Sequence, residues 1–210
     1  NAYELYGEHR SMTNAYGANY VVSDYVTYTF SIEAGTVRDK INGDFDRRAL
    51  TVGMRLADAD TTAAARLEYR TDAGELSGSD RDAKTLLFVG NWSEKLSDSR
   101  RLIAALEASD TDGDGVVEGG HLVDLSFGYA VRPVENDRFN MLLRYRFFYD
   151  TYGQRIDGTD DLGPIQRSHV FSVDGIYAID NTWEIGGKLG VRLSERADDA
   201  DSAWVDNDAW

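Results

Sequence analysis

The stretch Asp110-Thr111-Asp112-Gly113-Asp114-Gly115 is where the residue types most clearly invite chemistry. Oxygen donors at its first, third and fifth positions, with glycine at the sixth, match the first half of a calcium loop. Glu118 then stands at the ninth position. The twelfth, where a bidentate Glu closes such a site, is His121, and no helical pattern flanks the loop. The expectation is therefore not an EF-hand. It is a weaker Ca2+ held in an extracellular loop by Asp110, Asp112, Asp114 and Glu118, set against the plainer reading of a solvated acidic loop.

A second set of charged residues recurs with period two. Arg55, Arg66, Glu68, Arg70, Arg101, Glu107, Asp124, Arg144, Arg146, Asp174, Glu184, Lys188 and Arg192 fall on the face opposite the apolar residues of their strand patterns. On strands, alternate residues share a face, so these side chains belong to a polar face opposite an apolar one. Inside a barrel they line an aqueous path or pair to fill it. Arg144 and Arg146, on one strand, make an anion-attracting stripe if left unpaired. Hydrolysis by a Ser–His pair on the apolar face is not expected. His121 and His169 lie near that face, but its positions from Phe139 to Tyr149 and from Trp183 to Leu193 hold no Ser. Gly186-Gly187-Lys188 lacks the spacing and the Ser/Thr of a P-loop. Asn91-Trp92-Ser93 is a formal glycosylation sequon inside a strand pattern. No enzymatic activity is expected.

The elements that position these residues are strands. In Val26-Thr27-Tyr28-Thr29-Phe30-Ser31-Ile32-Glu33 the apolar and polar residues alternate without a break. The pattern recurs in Ala15–Val22, Leu50–Leu56, Ala63–Arg70, Lys84–Trp92, Arg101–Glu107, Val123–Val131, Phe139–Tyr149, Phe171–Tyr177 and Trp183–Leu193, with a weaker strand near Tyr3–His9. Short turns are expected at Ser23-Asp24, Asp58–Asp60, Glu94–Ser97, Pro133–Asp137 and Asp180-Asn181. Long polar loops are expected near residues 12 and 200 and at Gly35–Asp46, Thr71–Asp82, Ser109–Gly120 and Asp150–Ile165. Alternating apolar residues, with short and long connections in strict alternation, predict an antiparallel up-and-down transmembrane β-barrel of about 12 strands. A propeller is the weaker reading, because each period holds two long strands and not four short ones.

Composition fits. Hydrophobic residues make up 42%, and no apolar run approaches the roughly 18 residues of a membrane helix. A barrel escapes that test, since only every second residue meets lipid. The two prolines suit a chain that is mostly ladder. There is no cysteine, hence no disulfide framework or Cys-based metal site. A net charge of -15 speaks against nucleic acid as a partner. The chain opens at Asn1 with no leader pattern, which is expected of a processed or internal sequence.

From Gly128 to Glu195 the sequence resembles a known group. Gly128-Tyr129-Ala130-Val131-Arg132-Pro133, Asn136–Asn140, Arg144-Tyr145-Arg146-Phe147-Phe148-Tyr149-Asp150, Arg167–Asp174 and Trp183–Gly190 carry the likeness. They are similar to the barrel region of alphaproteobacterial-type outer-membrane proteins, the barrels that end large surface proteins and are loosely labelled TonB-dependent receptor or OmpA-like. The first half matches only in style. The resemblance implies a single barrel domain over residues 1–210, part of a longer chain, in the bacterial outer membrane of a Gram-negative cell. Its expected role is a structural anchor for a surface assembly or a passive, porin-like pore for small solutes. Its expected partners are outer-membrane lipid, lipopolysaccharide and other surface or envelope proteins. Such barrels end on an amphipathic strand with a terminal aromatic, whereas Trp204–Ala209 is no lipid-facing strand, so the chain reads as truncated. The competing class is a soluble extracellular all-β domain that binds a ligand or calcium.

Overall fold

In the computed structural model, residues 9–39, 44–76, 78–115, 119–133, 138–151, 165–198 and 202–207 are described. Their secondary structure is all strand: β1 (His9–Val21), β2 (Val26–Asp39), β3 (Asp44–Ala57), β4 (Thr61–Leu76), β5 (Ser79–Ser97), β6 (Arg100–Gly115), β7 (Gly120–Val131), β8 (Phe139–Asp150), β9 (Ile165–Ala178), β10 (Glu184–Ala197) and β11 (Val205–Asp206). They form one antiparallel up-and-down sheet of 11 strands, ordered β1 to β11 in chain order. β1 to β10 correspond to the ten alternating segments from Ala15–Val22 onward. The expected strand at Tyr3–His9 lies outside the described residues except for His9, which belongs to β1.

The strands are longer than the apolar alternation. β4 has 16 residues and β5 has 19. Much of what the sequence marks as long loop is therefore ladder: the stretch around Met12, Gly35–Asp39, Asp44–Asp46, Thr71–Leu76, Ser79–Asp82 and Ser109–Gly115 are all strand. Polarity was the wrong guide there. A strand that runs beyond its apolar band needs no greasy residues, because the backbone ladder carries it. Between β4 and β5 the chain reverses through Gly78 at φ 82, a left-handed conformation that glycine adopts without a Cβ clash.

The short turns are built locally. Ser23 Oγ accepts from the backbone N–H of Tyr25 and Val26. Asp180 Oδ1 accepts from the N–H of Thr182 at 2.7 Å and of Trp183 at 2.8 Å, holding the β9–β10 turn. One turn is displaced from its expected place. Glu94–Ser97 is still β5, and the reversal is at Asp98-Ser99. Lys95 Nζ reaches Asp98 Oδ1 at 2.5 Å across it. That hydrogen bond, and then the lysine charge, hold the Asp98 carboxyl below its ordinary value of 3.8. A carboxyl lowered on folding contributes fully above its unfolded value and loses that contribution as pH falls through the folded one. Asp98→Asn should therefore flatten the acid limb of a urea-stability profile below pH 3.8. Identical acid limbs in variant and parent would reject a role for this pair.

The chain divides into two compact units, one of residues 1–55, 65–89 and 109–121, the other of 56–64, 90–108 and 122–210. Neither shows an ordinary apolar core. Among the described residues the buried apolar side chains are Val37, Phe45, Ile165 and Ala197, and the buried polar ones are Asp72, Thr85, Ser168 and Ser194. Among the described residues no large side chain is fully buried. Along β3 the usual rule is inverted. Leu50, Val52 and Met54 are exposed, while Ala49, Thr51 and Gly53 between them are half-buried. On β2, Tyr28, Phe30 and Ile32 are exposed and Ser31 and Glu33 half-buried.

Candidate functional site: two faces of one ladder

In the second unit the register of β7 to β10 sorts the side chains into two faces. Antiparallel partners lie directly opposite one another on the same face. One face carries the rows Tyr129–Leu143–Val173–Leu189, Phe127–Tyr145–Phe171–Val191 and Leu125–Phe147–His169–Leu193. This face is apolar almost throughout, and it is open: Leu189 is 72% exposed, Phe171 51% and Phe127 49%. The first two rows flank an apolar groove of about 430 Å³ crossing all four strands. His169 is the polar exception. Tyr145 Oη lies 2.9 Å from its Nδ1, and its ring sits 5.0 Å from that of Phe147.

The band has edges. Toward the β9–β10 turn it ends in the row Phe139–Tyr177–Ile185, with Trp183 just beyond. At the other end it closes with Tyr149–Arg167–Glu195. There Arg167 bonds Glu195 through Nε, its guanidinium lies 4.4 Å from the Trp204 ring, and that ring is 6.4 Å from Tyr149. From Phe139 to Tyr149 the strand runs about 34 Å, or about 24 Å in projection at a 45° tilt.

The opposite face holds the charges expected there. Its rows are Ser126–Arg146–Val170–Arg192, Gly128–Arg144–Ser172–Gly190 and Ala130–Leu142–Asp174–Lys188. Arg146 grips Asp124 with both arms of its fork, Nε to Oδ1 at 2.7 Å and Nη2 to Oδ2 at 2.5 Å. Lys188 Nζ lies 3.6 Å from Asp174. Arg192 donates to Gln166 Oε1 at 3.5 Å, and Arg101 to Ser93 Oγ at 2.7 Å. Glu184 pairs in the ladder with Ala178. Glu107 lies on β6. Among the described residues the structure thus joins Asp124 to Arg146 and Asp174 to Lys188, and joins none of the other expected polar-face residues of this unit to one another.

In the first unit Arg55 lies on β3, and Arg66 and Glu68 lie on β4. Glu68 approaches Arg70 at 4.0 Å. The best-built cluster here was not singled out from the sequence. Arg47 donates Nε to Asp72 Oδ1 and Nη2 to Asp72 Oδ2, each at 2.9 Å, and Arg70 adds a contact at 3.9 Å. Phe45 sits beneath two guanidinium groups, Arg81 at 3.8 Å and Arg47 at 5.3 Å from the ring centre. A Cβ on Gly74 would meet Asp44 O at 2.0 Å and Phe45 Cα at 2.6 Å, so β4 passes this cluster only as glycine. Parity was the missed signal: Asp72 continues the face of Arg66, Glu68 and Arg70.

The loop placement of the acidic run is corrected. Asp110, Asp112 and Asp114 lie in β6, in extended strand and not in a loop. A donor at every second residue is the period of a strand face as well as of a calcium loop, and here the strand prevails. Asp110 Oδ1 contacts His121 Nδ1 at 2.7 Å. Glu118 lies outside the described residues. Among the described residues no group of three or more His, Asp or Glu is placed to hold a metal ion.

No protein family, curated protein or solved structure matches the chain.

Proposed function

We propose that this chain is a transmembrane β-barrel, or most of one, of the bacterial outer membrane. The observation that carries the reading is the inverted exposure along β3 and β9: Leu50, Val52, Phe171 and Val173 are exposed while Thr51, Gly53, Ser172 and Asp174 between and beside them are half-buried. In water such a continuous apolar face is costly, and exposed apolar patches beyond a few hundred Å² mark contact with a partner or a membrane. Two details favour lipid. A projected band of about 24 Å matches the outward apolar band of about 25 Å in outer-membrane barrels. Its two ends carry Tyr177 with Trp183 and Tyr149 with Trp204, the amphipathic rings that settle at membrane interfaces. The likeness to alphaproteobacterial-type barrels points to the same setting.

The role that fits is anchorage of a surface assembly around a hydrated polar face, with outer-membrane lipid and lipopolysaccharide against the apolar band. Asp124–Arg146 and Asp174–Lys188 tie adjacent or near strands across that polar face, as a scaffold requires. Passage of small solutes along the same face is the related role.

Refolding from urea tests the reading. The full chain should regain its sheet signal and a single protease-resistant form only with detergent micelles or phosphatidylcholine vesicles present. Cooperative folding to a soluble monomer in plain buffer would overturn it, and would instead support the soluble all-β class.

A further inference from the structure

Among the described residues, Arg192 and Arg196 have no acid on the polar face of β8 to β10, and neither has Arg144. The two carboxylates nearest Arg144 are engaged: Asp124 by Arg146, and Asp174 by Lys188. Arg144 lies between those pairs and, among the described residues, has neither a hydrogen-bond nor an ion-pair partner. Its row is otherwise made of the smallest side chains, Gly128, Ser172 and Gly190. Nothing bulky in that row fills the space over which its guanidinium moves, and Arg144 is exposed. Arg192 stands in the next row, two strands away, held only by the 3.5 Å contact to Gln166. Strands are about 4.8 Å apart and same-face residues about 6.8 Å apart along a strand, so the two Cα positions are separated by about 12 Å. Arg192 leans toward Gln166, two rows beyond its own on the side away from Arg144, so it must leave that contact for the two arms to meet above Ser172, whose hydroxyl would add a third donor.

We propose that Arg144, Ser172 and Arg192 form an oxyanion-binding station on this face, taking a small solute that bears a phosphate or carboxylate group. Guanidinium is always charged, and its planar fork fits two oxygens of one anion. The station is a local basic exception in a chain of net charge -15. For solute access it rests on the membrane reading, in which this face lines the aqueous interior. The chemistry itself requires only the folded ladder.

Inorganic phosphate and acetate are the probes, titrated by calorimetry into the full chain folded in zwitterionic micelles at constant ionic strength. Phosphate should bind with one site. Arg144→Gln should weaken it at least tenfold, and Arg144→Lys, which keeps the charge and loses the fork, by a smaller factor. Arg192→Gln and Ser172→Ala should each weaken it several-fold, and Arg10→Gln, on β1, should leave it unchanged. Acetate bound as tightly as phosphate, and lost with the same variants, would make the ligand any oxyanion; binding of phosphate alone would restrict it to phosphate-bearing solutes. Either result upholds the station. Absence of binding in the parent, or equal binding in parent and Arg144→Gln with matching circular dichroism, overturns it. The two readings separate cleanly: a chain that folds without detergent and still binds phosphate through Arg144 keeps the station and loses the membrane.

Discussion

Leu143→Arg should cost about 2–4 kcal/mol of folding stability in phosphatidylcholine vesicles, the penalty for a charge near the bilayer midplane. Leu143 lies in one of the two central rows of the β8 span, between Tyr129 and Val173 on the apolar face. The arginine would stand where hydrocarbon offers no hydrogen bond, with no carboxylate in its row. Ala130→Arg, on the opposite face, should cost less than about 1 kcal/mol, because water reaches a polar face. Urea titration of vesicle-refolded protein reads both values. Equal costs at the two positions would mean that the faces do not differ in solvent, and the apolar band would have no lipid to meet.

The second large effect is expected in the first unit. Asp72→Ala removes the acceptor of two 2.9 Å bonds from Arg47 and the nearest charge to Arg70. Asp72 is buried at 7% exposure, so no water stands ready to replace it. Hydrogen bonds between charged groups contribute about 1.5–3 kcal/mol, and a stranded buried charge raises the cost of breaking one. Arg47 is partly exposed, which places the expected loss at about 2–3 kcal/mol, read as a drop in the urea midpoint in micelles with unchanged slope. The double variant Arg47→Met, Asp72→Leu should recover most of that loss, since removing both partners leaves no orphaned charge. A double variant as unstable as Asp72→Ala would show that the site needs the ion pair itself.

How much of this was legible depends on what period two encodes. Leu50, Val52 and Met54 against Thr51 and Gly53 announced a two-faced strand, and their inverted exposure follows the same parity. The positions of β1 to β10 and the turns at Ser23, Asp58 and Asp180 came from alternation and turn chemistry in the same way. Three things were not legible. Thr71–Leu76 and Ser79–Asp82 are polar on both faces, so alternation could not distinguish loop from ladder. Asp110-Thr111-Asp112-Gly113-Asp114 fits two structures with one period, and only the pairing of β6 decides between them. The partner of Arg47 is 25 residues away at Asp72, and which carboxylate an arginine meets depends on a register set by the hairpin, not by either residue's neighbours. The same reasoning explains Arg144 and Arg146. Their spacing marks them as equivalent, yet the diagonal position of Asp124 engages one and leaves the other.

The central claim is that the apolar face meets lipid. The chain contains no cysteine, so single cysteines introduced along β8 and β9 can carry nitroxide labels without background. Labels at 143, 145, 171 and 173 should show high accessibility to oxygen in vesicles, and labels at 142, 144, 170 and 172 high accessibility to a water-soluble nickel complex. The two signals should oscillate out of phase with period two along both strands. An oscillation of opposite phase, with nickel reaching Leu143 and oxygen reaching Arg144, or no oscillation at all, would contradict the account.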